Sequence, residues 1–208
     1  MFDFIADLDA YFCEVYTNYD KLCILPGYRM PVMQATETDD FGRERAYTLP
    51  ANTMRLAKQE EKERLLKALK EQLVDKTFSF SFCPYGFFRC ISNRFSRYAF
   101  YKHLRETLKK YNLDPILAGE ALSVEAEIWK NICNGNYAPM KNLIFSLALT
   151  AHLSYDDTKN LMAFADCEFD FAMEKDVVIS YLLQQKVYNR DMIDAALKEY
   201  KIGNLFIK

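Results

Sequence analysis

The sequence predicts an all-α protein with three parts: an N-terminal helical pair, a central unit of five short helices and a C-terminal helical hairpin. Three observations lead there. Apolar residues recur at three- and four-residue steps over most of the chain, the spacing that gathers side chains on one face of a helix. Prolines, asparagines and glycines punctuate residues 97–165 where short helices would start and stop. Strict alternation of apolar and polar residues is confined to a short stretch around Phe78, Phe80 and Phe82.

Composition agrees with one compact chain. With 208 residues, 50% of them hydrophobic and 27% charged, the protein has the material for a sizeable core. A formal charge of −2 gives no overall pull towards nucleic acid. The first residues carry Asp3, Asp7 and Asp9 and no basic segment, so no signal peptide is expected. No apolar run reaches the roughly 18 residues that span a bilayer. The expectation is a soluble, cytoplasmic protein. Its six cysteines, Cys13, Cys23, Cys83, Cys90, Cys133 and Cys167, stand singly without CxxC or a histidine at ligand spacing, which argues for reduced thiols and against zinc.

The N-terminal part covers residues 1–95. Phe2, Ile5, Leu8, Phe12, Val15 and Tyr16 place one stripe on a first helix ending near Tyr19. Residues 26–50 hold three prolines, two glycines and mixed charges and read as a long loop. A second helix opens near Pro50 and runs to about Val74, with strong helix formers inside it and Leu56, Leu65, Leu66, Leu69 and Leu73 facing inward. Residues 77–95 read as an aromatic connector, extended near Phe78–Phe82.

The central part covers residues 96–166. Tyr98, Tyr101, Leu104, Leu108 and Tyr111 form the stripe of a helix that stops at Asn112. Asp114 and Pro115 open a short helix to Leu122. Ser123 caps a third, Val124–Cys133, which ends at Asn134-Gly135-Asn136. Pro139 opens a fourth, with Leu143, Ile144, Leu147, Ala148 and His152 on its inner side, and Ser154 with Asp157 starts a fifth. In the C-terminal part, residues 167–208, one helix spans Asp176–Lys186. Asn189 caps the last, Gly203 ends it, and Leu205-Phe206-Ile207 follow as an apolar tail.

From Arg97 to Ala165 this order of residues resembles the Cro and lambda-repressor (XRE-type) helix-turn-helix family, over about a third of the chain. The resemblance is carried by Ala118-Gly119, Leu122-Ser123, Val124, Trp129, Ile132, Asn134-Gly135 and then Pro139, Leu147-Ala148, Leu153-Ser154 and Asp157. The same region with its helical tail is also similar to the C-terminal part of some bacterial macro-domain proteins, without a macro domain in this sequence. The first resemblance implies a third helix set to enter the DNA major groove. Its outward positions fall on Glu125, Ala126, Glu127, Lys130 and Asn131. Carboxylates there repel a phosphate-lined groove and release no counterions.

One segment points the other way. Residues 86–112 set seven bases against Glu106 alone, a balance of +6, so Arg94, Arg97, Arg105, Lys109 and Lys110 form a candidate phosphate-contacting face among interleaved aromatics. Helical periodicity sends many of those rings inward and leaves a basic solvated face. Other motifs are weaker still. Ala6–Phe12 looks like the first palm motif of translesion DNA polymerases, but that motif follows a buried strand and needs a second acidic cluster. His103 and His152 lie on separate helices, and no glycine-rich phosphate loop or nucleophile elbow occurs.

The sequence therefore predicts a non-enzymatic regulatory or adaptor protein acting through protein contacts on a degenerate helix-turn-helix scaffold, without cofactor or metal. Its implied partner is another protein, and a homodimer is compatible with the fold. The alternative is a repressor-type DNA-binding regulator, which the acidic third helix disfavours.

Overall fold

The first stripe of apolar residues folds as a helix, α1 (Phe4–Val15), and buries Leu8 and Phe12 with Tyr16 just beyond its end. In this computed structural model, residues 4–18, 34–38, 42–48, 59–74, 94–137 and 140–203 are described, and they are predominantly helical. Helix α1 ends before Tyr19 because the Thr17 amide turns to the Phe171 carbonyl, 3.0 Å away. The run Ala6–Phe12 lies within this helix, so it lacks the strand that the polymerase motif requires.

Residues 26–50 are not a loop throughout, which corrects the sequence expectation. Strands β1 (Gln34–Thr38) and β2 (Glu44–Thr48) pair antiparallel, with Gln34 opposite Thr48 and Thr38 opposite Glu44. Gly42 takes φ +75 between them. The hairpin was illegible because QATET and ERAYT are polar on both faces and carry no apolar alternation.

Helix α2 (Gln59–Gln72) lays Leu66 and Leu69 against α1. The remaining elements are α3 (Arg94–Lys110), α4 (Pro115–Ala121), α5 (Ala126–Cys133), α6 (Lys141–Thr150), α7 (Tyr155–Ala163), α8 (Glu174–Gln184) and α9 (Arg190–Glu199). Helices α6 and α8 are buried nearly all round, as their sequences KNLIFSLALT and EKDVVISYLLQ require, and they form the centre of the molecule. Helix α8 packs on α1, α6, α7 and α9, while α6 also meets α4 and α7. The hydroxyls of Tyr11 and Ser180 lie 2.9 Å apart, and the Tyr16 hydroxyl donates to the buried Glu174 at 3.1 Å, so the N-terminal helix is built into the C-terminal part of the core. Asp176, also buried, accepts from Lys141 and from the Asp170 amide, which satisfies a carboxylate that would otherwise be costly.

Every helix from α3 to α9 ends in the same way. The residues at Asn112, Ser123, Gly135, His152, Asp166, Lys186 and Lys201 have positive φ, and the amide of the next residue donates back to the carbonyl five residues before it. This is the Schellman ending, which satisfies the orphan carbonyls of the last turn. Three expected boundaries move as a result. Ser123 ends α4 at φ +55 and caps nothing, so α5 starts at Ala126 with Glu125 before it. His152, expected on the inner side of α6, is an exposed terminator at φ +56. Lys201, ahead of Gly203, ends α9.

Two N-caps stand as the sequence predicts: Ser154 Oγ accepts from the Asp157 amide at 3.1 Å, and Asn189 Oδ1 from the Met192 amide at 3.2 Å. Helix α6 begins at Lys141 after Met140. Pro50 and Leu56, the extended piece Phe78–Phe82, Pro139 and the tail Leu205–Ile207 lie outside the described residues, as do Cys23, Cys83 and Cys90.

Candidate protein-contact face and basic face

Helices α4 and α5 meet at one tight contact. A Cβ on Gly119 would stand 2.4 Å from Trp129 Cγ, so only glycine lets the indole lie against α4. With Trp129 and Ile132 buried and Ile128 and Cys133 partly packed on the core, the opposite side of α5 turns outward. Glu125, Ala126, Glu127 and Lys130 are exposed and Asn131 is half-buried. Among the described residues, Glu125, Glu127 and Lys130 make no ion pair or side-chain hydrogen bond. Asn131 Oδ1 accepts from Asn136 Nδ2 at 2.9 Å, so a base could be read through the Asn131 side chain only after that bond opened.

The basic residues are divided between different tasks. Arg105 donates to the Cys133 carbonyl at 2.8 Å and so places its charge at the C-terminal end of α5, where the helix dipole favours it. Lys110 donates to both Asp157 oxygens, at 2.9 and 2.7 Å, at the start of α7. Lys109 is exposed, and Lys102 stands 4.0 Å from Glu106. Arg94 and Arg97 belong to α3, but their side chains fall outside the described residues.

Asp157 is the most connected carboxylate of this region. Partial desolvation favours its neutral form, yet hydrogen bonds from Lys110, Tyr111 and Ser154 outweigh it and hold the carboxyl below its ordinary 3.8. The same bond to Asp157 raises the Lys110 ammonium above its usual value. The Cys133 thiol is pushed up to about 11 by burial, against a smaller opposing effect of Arg105, so it is a protonated thiol and a poor nucleophile at neutral pH.

The His103 ring lies tilted against Phe164 at 4.4 Å and His152 stacks on Tyr188 at 4.7 Å, so both rings take part in packing. No group of three His, Cys, Asp or Glu residues among those described is placed to hold a metal ion. No helix among the described residues is long and apolar enough to cross a membrane.

Sequence reasoning missed two features. One is a cleft of about 440 Å³ between α4 and α5, lined by Gly119, Val124, Ala126, Trp129 and Cys133 with Glu120 and Lys130 at its edge. The other is a network across α1, α2 and α9. Lys70 donates to Asp9 at 2.7 and 2.8 Å and to Glu199 at 2.7 Å, and the Tyr200 hydroxyl donates to Asp9 at 2.7 Å. Its bonded pairs are separated by 61 to 191 residues, so no local spacing marks them. Compared with known protein families, curated proteins and solved structures, the chain matches none of them.

Proposed function

We propose that this protein is a non-enzymatic cytoplasmic regulator or adaptor that works through protein contacts made by the outward face of α5, on a scaffold of degenerate XRE-like helix-turn-helix type. One observation carries the reading: Glu125, Glu127 and Lys130 are exposed and uncommitted, whereas Arg105 and Lys110, which DNA binding would need, are engaged within the chain. Charges left unpaired at a surface are available to fix the orientation of a partner. A partner retained by the full chain from host extract should be released by alanine at Glu125, Glu127, Lys130 or Asn131. Retention unchanged by all four substitutions defeats the reading.

The repressor alternative makes a different demand. A two-fold dimer would place its third helices about 34 Å apart along DNA, and its affinity would fall steeply with salt as counterions are released. Anisotropy titrations with duplex fragments at low salt should show no saturable binding at micromolar protein. Saturable binding lost on Asn131→Ala would replace the adaptor reading with the repressor one.

A further inference from the structure

The cleft between α4 and α5 holds about 440 Å³ and is lined largely by apolar groups, from Gly119, Val124, Ala126, Trp129 and Cys133. Two charged side chains line it as well, Glu120 on the α4 wall and Lys130 on the α5 wall. Both are exposed, and neither makes an ion pair or a side-chain hydrogen bond among the described residues. Arg105 is already engaged on the Cys133 carbonyl at 2.8 Å. Counted over its lining residues, the cleft therefore has no net charge, but it is dipolar: acid on one wall and base on the other.

A dipolar mouth does not select a partner rich in one sign of charge. It is matched by an identical mouth turned over. A two-fold axis running along the cleft lays α4 of each copy over α5 of the other, so Glu120 meets Lys130 of the other copy and Lys130 meets its Glu120, two attractive pairs from one pair of residues. We infer that the occupant of the α4–α5 cleft is the same face of a second copy of this chain. Leu117 gives a second reason. It does not line the cleft, yet it is 58% exposed on α4, one turn before Glu120, and the same rotation carries it out of water onto α5 of the other copy. An apolar centre bounded by charges is the anatomy of a protein interface, and association through so small a patch is reversible and concentration-dependent. The inference rests on the protein-contact reading of α5 and names one partner for it.

Analytical ultracentrifugation of the full chain at increasing micromolar concentration should show a reversible monomer–dimer equilibrium. Trp129 is the only tryptophan of the chain and lines the cleft, so its emission should change in step with the dimer fraction. Glu120→Lys puts two like-charged pairs into the dimer, as does Lys130→Glu, and each alone should weaken self-association at least tenfold. An equimolar mixture of these two variants regains both attractive pairs and should dimerise as the parent does, which also shows that each variant is folded. Ala126→Arg, which obstructs the cleft from an exposed position, should weaken self-association at least tenfold. A chain that stays monomeric, a dimer that leaves Trp129 emission unchanged or is indifferent to Ala126→Arg, or a mixture that associates no better than either variant alone would each overturn the inference. These results are read on the purified chain, so their failure is distinct from that of the protein-contact reading, which a host partner released by Glu125→Ala or Glu127→Ala would still uphold.

Discussion

Tyr111 joins two helices through a single oxygen: its hydroxyl donates to Asp157 at 2.6 Å and accepts from the Ser154 amide at 2.8 Å. Tyr111→Phe removes both bonds and leaves the amide without its acceptor, so urea unfolding should show a loss of about 1–2 kcal/mol. The variant should also change the pH response. Asp157 titrates below its ordinary value in the folded chain, so its contribution is present above 3.8 and is lost as pH falls through the depressed folded value. Without the tyrosine bond that depression shrinks, and the acid-induced loss of stability should become shallower. Gly119→Ala tests the helix crossing, where a methyl placed 2.4 Å from the indole should cost about 1–3 kcal/mol despite the better helix propensity of alanine. A variant as stable as the parent would mean that the α4–α5 contact yields easily. Ala118-Gly119 stood out in the sequence only through the helix-turn-helix resemblance. The same resemblance puts Trp129 on the buried side of the third helix, but the close approach of its ring to Gly119 is visible only in the structure, because it depends on how the two helices cross.

The repeated helix ending explains both what the sequence revealed of the elements and what it concealed. Asn134-Gly135-Asn136 was legible as the end of α5 because glycine accepts positive φ freely. Asn112 likewise marks the end of α3, since asparagine and, at Asp166, aspartate tolerate the left-handed region, whereas Ser123, His152, Lys186 and Lys201 are residue types that do not announce such a turn. The common signal of these six endings lies one position later, in Leu113, Val124, Leu153, Cys167, Val187 and Ile202, which are buried or partly buried and resemble a continuation of the apolar stripe. That is why Ser123 reads as a cap and His152 as a core residue in the sequence, while the predominantly helical character of the described residues was readable. A non-glycine residue in this conformation is strained, so Lys186→Gly and Ser123→Gly should each stabilise the chain by about 0.5–1 kcal/mol. Thermal melts should rise by about 1–4 °C for each substitution. A fall at either site would mean that the lysine or serine side chain contributes more than the backbone strain costs.

At the scale of the whole molecule, the Asp9–Lys70–Glu199 network ties α1, α2 and α9 together, with Lys70 also 4.9 Å from the Tyr200 ring centre. Lys70 and Asp9 are 14% and 28% exposed, so Lys70→Met should cost about 1–3 kcal/mol, less than a fully buried pair because water already screens part of the attraction. Chemical denaturation of the full chain measures it, and a neutral result would make the network ornamental to stability. A fragment ending at residue 166 should fail to unfold cooperatively, since it would lack α8, against which Leu8, Phe12 and Tyr16 are buried. The bond from Tyr200 to Asp9 spans 191 residues. On a ribosome adding about 5–20 residues per second, α1 is made roughly 10–40 s before α9 exists to receive it. During that interval the nascent chain presents a short helix with a bare aromatic stripe, the kind of surface on which holding chaperones act. Slowing translation between α2 and α8 should therefore reduce the yield of folded protein more than slowing it after α9.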